Sequence, residues 1–405
     1  MTKGGLARRS QSSAVWLATV LILWSCAQGI GPEDAPPPPA MVAVDGRALQ
    51  VFDDDLAYAG LAAAIDESLA YLRTRPATAR YHFGPDEHPV SDVIETLTHF
   101  KAFVGQRPSG AQLAHHLAEE YHVYRAGGRD GGGEVLFTGY YEPFLKGSRT
   151  PRGAFRHPIY GRPSDLMTVD VGRFRTQHTG LELRGRLSGL ELVPYADRAR
   201  IEAEGLPAAV APVLAWVNDP VALFFLHIQG SGRVYLDDGS FLNVHYHTTN
   251  GHPYRSIGKL LIDQGKISRE AMSMQAIRDY LTRHPQEVPA VLNTNPSYVF
   301  FKLVKRGPLG YLNRPLTPGR SLALDRRIFP PGALVLVKTQ KPLMTADGRI
   351  ARWQPFTRLM LNQDTGGAIE GPGRADLFWG NGPYAEIAAG HLKHTGELYF
   401  FVRKQ

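Results

Sequence analysis

Apolar residues recur at helical spacing in the first third of the chain. Two stripes with a period of three to four residues predict two helices. Their members are Leu56, Leu61, Ile65, Leu69 and Leu72 in the first stripe, and Val93, Ile94, Leu97, Phe100 and Phe103 in the second. Ser91 is the expected N-cap of the second helix. Further helices are predicted over 111–124, over 254–264, and over 269–283 with Ser268 as N-cap.

Short apolar or alternating runs bounded by glycine predict strands elsewhere. They cover residues 134–144, 187–193, 221–228, 233–246, 333–338, 359–362, 375–379 and 398–403. Two hairpin turns are expected, at Ser188-Gly189 and at Asp238-Gly239. The mixture predicts an α+β, mainly β, fold in which barrel-like sheets are favoured over a doubly wound sheet.

The N-terminal residues have the pattern of an exported chain. Basic residues precede the apolar run 14–24, which is too short to span a bilayer comfortably. The only cysteine, Cys26, follows Leu-Trp-Ser and resembles the lipidated residue of a bacterial lipoprotein box. We expect 1–25 to be a signal peptide and 26–45 to be a linker. An ordinary signal or an uncleaved anchor with an incidental cysteine is the alternative.

Length and composition limit the class of protein. The 405 residues suit two or three domains, and 43% hydrophobic with 20% charged residues argues against disorder over the whole length. The net charge of +7 comes from scattered basic residues. This pattern favours an anionic extracellular polymer, or simply a solvated basic surface, over nucleic acid.

A glycine-rich stretch, 363–380, carries the clearest candidate chemistry. It holds Asp364 and Asp376 between apolar strands, where backbone can approach a ligand and a carboxyl can be desolvated. A desolvated aspartic acid keeps its proton near neutral pH and can act as a general acid. The alternative is that both aspartates are turn residues that bind backbone amides.

Ordered motifs from about Tyr121 to the C-terminus resemble the membrane-bound lytic transglycosylase A family. They occupy residues 138–143, 229–232, 251–258, 272–277 and 295–301. Asp325, Asp364 and Asp376 resemble the three aspartates after which the 3D domain of that family is named.

The resemblance implies a two-domain fold with a groove between the domains. The larger domain would be a double-psi β-barrel with helices, built from 46–140 and 305–405. The smaller would be an inserted β-barrel domain, 141–304, that binds substrate.

The resemblance also implies the reaction. The family cleaves the β-1,4 bond between N-acetylmuramic acid and N-acetylglucosamine in peptidoglycan and leaves a 1,6-anhydromuramoyl end. Asp376 maps to the catalytic residue, as general acid and then base, with Asp364 and Asp325 supporting it. No cofactor and no metal is expected. The expected substrate contacts are Thr138, Gly139, Tyr140, Tyr141, Gln229, Gly230, Ser231 and Gly232.

The same resemblance places the protein at the periplasmic face of the outer membrane, lipid-anchored through Cys26. Ala27, rather than an aspartate, after the cysteine is similar to lipoproteins sent there. The expected partners are peptidoglycan glycan strands, with cell-wall synthases or scaffold proteins as further candidates and no nucleic acid.

Several other functions remain as alternatives. The main one is a peptidoglycan-binding envelope lipoprotein without catalysis. The triplet 364–366 matches an aspartic protease but occurs once, whereas that chemistry needs two such carboxylates. The segment 380–385 fits a dinucleotide fingerprint, but too few residues follow it. His115, His116, Glu119 and Glu120 have the spacing of metal ligands, although a solvated helix face explains them better.

Overall fold

The computed structural model of the protein describes residues 39–405. The predicted signal peptide 1–25 and Cys26 therefore lie outside the described residues. Within 39–405, no helix is both long and apolar enough to cross a membrane. The predicted linker 26–45 extends too far, because Met41–Val44 forms a paired strand and the side chain of Met41 is buried.

Helices and strands alternate irregularly along the described residues. The α-helices are α1 (Leu61–Leu72), α2 (Val90–Val104), α3 (Gly110–Glu120), α4 (Arg198–Glu204), α5 (Pro220–Gln229), α6 (Ile257–Asp263), α7 (Met274–Arg283), α8 (Val288–Leu292) and α9 (Pro383–His391). The strands before α4 are β1 (Met41–Val44), β2 (Arg80–Phe83), β3 (Asp86–Pro89), β4 (Tyr121–Ala126), β5 (Val135–Tyr140), β6 (Phe144–Ser148), β7 (His157–Tyr160), β8 (Met167–Asp170), β9 (Glu182–Ser188) and β10 (Glu191–Pro194). The later strands are β11 (Val213–Val217), β12 (Ser231–Leu236), β13 (Phe241–Thr249), β14 (Val299–Val304), β15 (Ser321–Ala323), β16 (Leu334–Met344), β17 (Ile350–Asp364), β18 (Arg374–Phe378) and β19 (His394–Arg403).

The largest sheet has eight strands in the order β1-β4-β19-β16-β17-β15-β18-β5. An additional pairing of β19 with β5 closes six of them into a ring, which we call the large barrel. It combines β5 with five strands from the C-terminal third of the chain. The predicted mainly β fold with helices is confirmed, whereas the double-psi path of the barrel strands stays a prediction.

A second sheet has six strands in the order β14-β13-β12-β6-β11-β7. A bridge between Gly161, which follows β7, and Phe301 of β14 joins its two edges. This sheet is therefore also closed, and we call it the small barrel. Its strands fall inside the range 141–304. A three-stranded sheet, β10-β9-β8, extends from the same part of the chain.

Helices α1 and α2, which precede the strands of the large barrel in sequence, supply much of its hydrophobic core. The stripe of α1 is buried, and so is most of the stripe of α2. Burial of apolar area is the main stabilising contribution to such packing, at about 25 cal/mol per Å². The core members from these helices include Leu61, Ile65, Leu69, Leu72, Val93, Leu97 and Phe100.

A buried ion pair fixes the segment before α1 to the large barrel. Arg320 donates to both carboxylate oxygens of Asp54 at 2.7 Å, and neither side chain is exposed. Asp54 also accepts from the backbone N–H of Leu359 in β17 at 2.9 Å. Because every charge here is hydrogen-bonded, the pair is tolerated, but removal of one partner would leave a buried charge.

Residues 221–228, predicted as a strand, form helix α5 instead. Asp219 accepts from two backbone N–H groups of the first turn, Pro220 occupies the first helical position, and Gly230 ends the helix at φ 73°. The helical period is hidden because the helix is buried on two sides. Leu223 and Leu226 pack in the small-barrel core, and Phe224 and Phe225 pack against α6, α7 and α8.

Several predicted helix boundaries are also wrong. Leu56 precedes α1, which begins at Leu61, and the helix predicted over 254–264 begins only at Ile257. Helix α2 begins one residue before Ser91, with Pro89 as its cap. The prediction over 111–124 runs too far, because Tyr121 begins strand β4. Helix α7 begins after Ser273, whose hydroxyl accepts from a first-turn N–H, and not after Ser268. Both hairpin predictions are confirmed, by the pairing of β9 with β10 and of β12 with β13.

Candidate active site

The two aspartates of the glycine-rich stretch lie on strands that flank β15. Asp364 ends β17, and Asp376 is in the middle of β18. Ala323 of β15 is opposite Asp364 on one side and opposite Asp376 on the other. Both aspartate side chains are partly buried. The pairing of the three strands therefore brings the carboxyl groups to one place on the large barrel.

Asp376 is held by a threonine from the other part of the large barrel. Strand β5 runs parallel to β18 with Thr138 opposite Asp376, and the Thr138 hydroxyl donates to Asp376 Oδ1 at 2.8 Å. Burial raises the pKa of the Asp376 carboxyl to about 7, against the opposing effects of the Thr138 bond and the Arg374 charge. A carboxyl group with this pKa can both donate and accept a proton near neutral pH.

Asp364 accepts three hydrogen bonds from protein donors. The Tyr140 hydroxyl donates to its Oδ2 at 2.7 Å, and the backbone N–H groups of Tyr311 and Thr365 donate to its Oδ1 at 2.8 and 2.9 Å. Burial raises the pKa of Asp364 to about 6, although these bonds act in the opposite direction. The arrangement fixes Asp364 and orients the Tyr140 ring, so it suits a supporting residue better than a reacting one.

Asp325 braces the loop between the two other aspartates. Its buried carboxylate accepts from the backbone N–H of Gly371 at 2.8 Å and from two nitrogens of Arg327 at 2.9 and 2.7 Å. Burial opposes ionisation, but the bonds from Arg327 and Gly371 prevail and lower the pKa of Asp325. Its contacts are those of a structural ion pair.

Gly139 and Tyr141, two of the four predicted contacts in 138–141, also have packing roles, and their contact with substrate stays a prediction. A Cβ atom on Gly139 would lie 2.5 Å from Trp379 Nε1 and 2.9 Å from Ala389 Cα, so only glycine fits there. Tyr141 is buried, with 3% of its surface exposed, and cannot offer its ring face to a sugar. Thr138, Gly139 and Tyr140 are partly exposed.

The segment 229–232 reaches the site strand from the small barrel. The Gln229 side-chain oxygen accepts from the backbone N–H of Tyr141 at 3.0 Å. The Ser231 hydroxyl lies 2.9 Å from His245 Nδ1. A Cβ atom on Gly232 would lie 2.4 Å from a Leu226 methyl group, so a larger residue there would have to displace that side chain. The segment thus joins the end of α5 to the end of β5.

Glu142 links the two barrels, a role that the sequence did not reveal. Its carboxylate, in a residue only 2% exposed, accepts from Asn381 Nδ2 at 3.0 Å and from Arg233 Nη2 at 3.3 Å. Its backbone N–H donates to the carbonyl of Gly380 at 2.7 Å. Because Arg233 is in β12 and Gly380 follows β18, these bonds hold the small barrel against the site strand.

Arg374 is a second residue that sequence reasoning missed. It is two residues before Asp376, and alternate residues of a strand share a face. Its Nη2 donates to the Thr138 hydroxyl at 3.3 Å, so Thr138 connects the guanidinium to the carboxyl. The two-residue spacing from Asp376 is the signal that could have identified it.

The histidine and glutamate pattern of α3 is mostly a solvated helix face, because His115, Glu119 and Glu120 are exposed and only His116 packs. The His116 ring stacks on Phe103, with ring centroids 3.7 Å apart. Within residues 39–405, no group of three His, Cys, Asp or Glu side chains could hold a metal ion.

The chain matches two family descriptions in the regions that hold the site. Residues 136–302 match the MltA specific insert domain, and residues 320–402 match the 3D domain. Membrane-bound lytic murein transglycosylase A of Escherichia coli K12 is 39% identical over 275 residues, which cover 67% of each chain. The protein of the same name from Vibrio cholerae is 36% identical over 276 residues, with the same coverage.

Solved structures of membrane-bound lytic murein transglycosylases are also similar to this chain. A membrane-bound lytic murein transglycosylase from Agrobacterium tumefaciens superimposes with a TM-score of 0.71 at 30% identity, covering 90% of this chain and 98% of the other. Escherichia coli MltA with bound chitohexaose gives a TM-score of 0.68 at 29% identity, covering 91% and 95%. The chain thus belongs to the membrane-bound lytic murein transglycosylase A family and is an enzyme of the lytic transglycosylase class.

Proposed function

We propose that the protein cleaves the β-1,4 bond between N-acetylmuramic acid and N-acetylglucosamine in peptidoglycan and forms a 1,6-anhydromuramoyl end. The observation that carries this proposal is the Asp376 carboxyl, partly buried, held by Thr138, and with a pKa raised to about 7 by burial. Such a group can give and retake one proton within a single turnover.

In the proposed mechanism, protonated Asp376 donates its proton to the glycosidic oxygen as that oxygen leaves C1 of the muramoyl sugar. The C6 hydroxyl of the same sugar then bonds to C1, and the Asp376 carboxylate takes the hydroxyl proton. The acid is thereby regenerated and no water is consumed. Attack within one sugar ring supplies a high effective concentration, which replaces a bound water as nucleophile.

The state of Asp364 supports a mechanism with one reacting carboxyl. Glycoside hydrolases generally need a second carboxylate, as nucleophile or as the base that activates water. Asp364 already accepts three hydrogen bonds from Tyr140, Tyr311 and Thr365. We assign it to orienting Tyr140 and to supporting the barrel, and Asp325 to holding the loop of the site.

The substrate path is proposed to run between the two barrels, along the groove expected between 141–304 and the rest of the folded chain. Thr138 and Tyr140 would contact the sugar at the bond that is cleaved, while Gln229, Gly230 and Ser231 would lie beside them. The chitohexaose bound to Escherichia coli MltA supports a site for N-acetylated glycans.

Attachment to the periplasmic face of the outer membrane through a lipid on Cys26 remains part of the proposal. Cys26 lies outside the described residues, and the name of the relatives includes membrane-bound. Synthases or scaffold proteins of the cell wall are proposed partners there.

Mass spectrometry of purified sacculi after incubation tests the proposal. The unmodified protein should release anhydromuropeptides, and Asp376→Asn should abolish release while the fold and glycan binding persist. Asp347→Asn, in the exposed turn before β17, is the matched control and should act like the unmodified protein. Reducing ends would indicate a hydrolase, and glycan binding without products would indicate the non-catalytic lipoprotein. Undiminished release by Asp376→Asn would refute its assignment.

A further inference from the structure

Arg374 is a cation beside Asp376 whose charge is not paired. Within residues 39–405 its one side-chain hydrogen bond goes to the neutral hydroxyl of Thr138, and it forms no ion pair. Its side chain is partly buried. A guanidinium has five N–H donors arranged to bind a carboxylate in two places, so most of its binding capacity is unused.

Arg129 brings a second cation to the same place. Its backbone packs on the residue before Arg374, because a Cβ atom on Gly373 would lie 2.5 Å from Arg129 N and 2.8 Å from Arg129 Cα. The Arg129 side chain is exposed, and it too forms no ion pair within the described residues. Burial and then the Arg129 charge act on Arg374 to lower its pKa, as expected for two cations close together.

Resting on the proposed function, we infer that Arg374 and Arg129 form a binding site for a carboxylate of the peptidoglycan substrate. Two guanidinium groups close together without an ion pair favour an anion between them, and charge-assisted bonds from arginine to carboxylate are strong and directional. In the first step of the proposed mechanism Asp376 is protonated and uncharged, so it is not that anion. The anion therefore comes from the substrate.

The chemistry of the glycan identifies the ligand class. An N-acetylglucosamine oligomer has no carboxylate. Muramic acid carries a lactyl group on O3, whose carboxylate is free in peptide-free glycan. In peptide-bearing glycan the lactyl group is an amide, and the peptide supplies carboxylates instead. A carboxylate site beside Asp376 would thus select muramoyl glycans over chitin-like ones.

The test measures binding separately from cleavage. The full chain with Asp376→Asn is titrated with chitohexaose, with peptide-free muramoyl glycan and with peptide-bearing glycan. Each titration is repeated at low and high salt after adding Arg374→Gln, and separately after adding Arg73→Gln. Arg73 is an exposed residue that follows α1, so it is the control for the loss of one positive charge.

Arg374→Gln should weaken binding of at least one muramoyl glycan by about tenfold or more, the usual effect of a lost charge-assisted bond, and should reduce its salt dependence. Binding of chitohexaose should change by less than about twofold, and Arg73→Gln should change no affinity. An effect on peptide-free glycan alone assigns the lactyl carboxylate, and an effect on peptide-bearing glycan alone assigns the peptide.

Equal losses for all three glycans, or no loss for any, would overturn the inference. Neither result depends on the products formed. Absence of anhydro ends from the unmodified protein, with the binding pattern intact, would instead contradict the proposed function and leave the carboxylate site standing.

Discussion

The Thr138 hydroxyl donates a 2.8 Å hydrogen bond to the Asp376 carboxyl across 238 positions of sequence. The two residues are opposite each other in the parallel pairing of β5 with β18. The bond is therefore set by strand register, and the carboxyl is oriented before any substrate arrives. Preorganised groups of this kind spare the reorganisation that would otherwise slow proton transfer.

Thr138→Val should lower kcat by about tenfold or more, because the carboxyl loses its orienting bond. The same bond lowers the pKa of Asp376, so its loss should also move the alkaline limb of the kcat–pH profile to higher pH. Thr98→Val, which alters an exposed hydroxyl on α2, is the control. An unchanged profile would show that the bond does not act on the reacting carboxyl.

Two substitutions of Arg374 should distinguish the effect of its charge on Asp376 from the effect of its planar shape. The Arg374 charge lowers the pKa of Asp376, so Arg374→Gln should move the alkaline limb of kcat to higher pH. Arg374→Lys keeps the charge but has one compact ammonium in place of the planar fork, so it should leave that limb near its original position. The measurement is kcat against pH for both variants. A shift of equal size in both would contradict an electrostatic origin.

Asp376→Asn should stabilise the fold at alkaline pH. Burial raises the pKa of Asp376 to about 7, above its ordinary value, so the folded state binds a proton that the unfolded state releases. The resulting contribution to stability is fully present below the ordinary pKa of about 4 and is lost as the pH rises through about 7. The uncharged amide avoids that loss.

Urea unfolding should therefore show the Asp376→Asn variant more stable than the parent by about 1 kcal/mol or more near about pH 8, with little difference near about pH 4. Asp347→Asn, whose aspartate has a pKa lowered by bonds from Thr345 and Arg349, should show no gain at alkaline pH. A pH-independent difference for Asp376→Asn would indicate that its carboxyl is not desolvated.

Gly139→Ala should destabilise the protein by about 1–3 kcal/mol, the usual cost of overpacking. The added methyl group would meet the Trp379 ring at 2.5 Å and the backbone of α9 at 2.9 Å. Gly367→Ala is a matched control, because a Cβ atom there meets nothing within 4 Å. Thermal unfolding measures both. Equal stability of the two variants would show that Trp379 can move aside.

Arg320→Ala should destabilise the fold by about 3–5 kcal/mol, because it leaves Asp54 buried without its cation. Arg349→Ala removes an exposed partner of Asp347 and should cost less than about 1 kcal/mol. The comparison is made by urea unfolding. A small loss for Arg320→Ala would mean that water reaches Asp54 in the variant.

Local sequence signals predicted much of the secondary structure. The strand predicted over 221–228 was wrong for a physical reason. Residues 221–228 are apolar throughout, as in a buried strand, and the helix is identified only by Asp219 and Pro220 before it and Gly230 after it. A helix buried on two sides has no polar face to mark its period. By contrast, the hairpin at Asp238-Gly239 is specified by two residues and was predicted correctly.

The site itself depends on pairing that no local pattern encodes. Asp364 and Asp376 stand out in the sequence because glycines surround them, but their association with Thr138 and Tyr140 comes from β5 joining β18. The resemblance to a family supplied that association. It did not indicate Arg374, whose place in the site is defined by its bond to Thr138.

Because β19 closes the large barrel, the active site can form only after the C-terminal strands have been synthesised. Strand β18, which carries Asp376, pairs with β5, and β5 pairs in turn with residues 394–396 of β19. While the chain is still emerging N-terminus first, Thr138 is present long before Asp376 and the closing strand. A nascent or C-terminally truncated chain therefore lacks an assembled acid, so glycan cleavage begins only after synthesis of the barrel is complete.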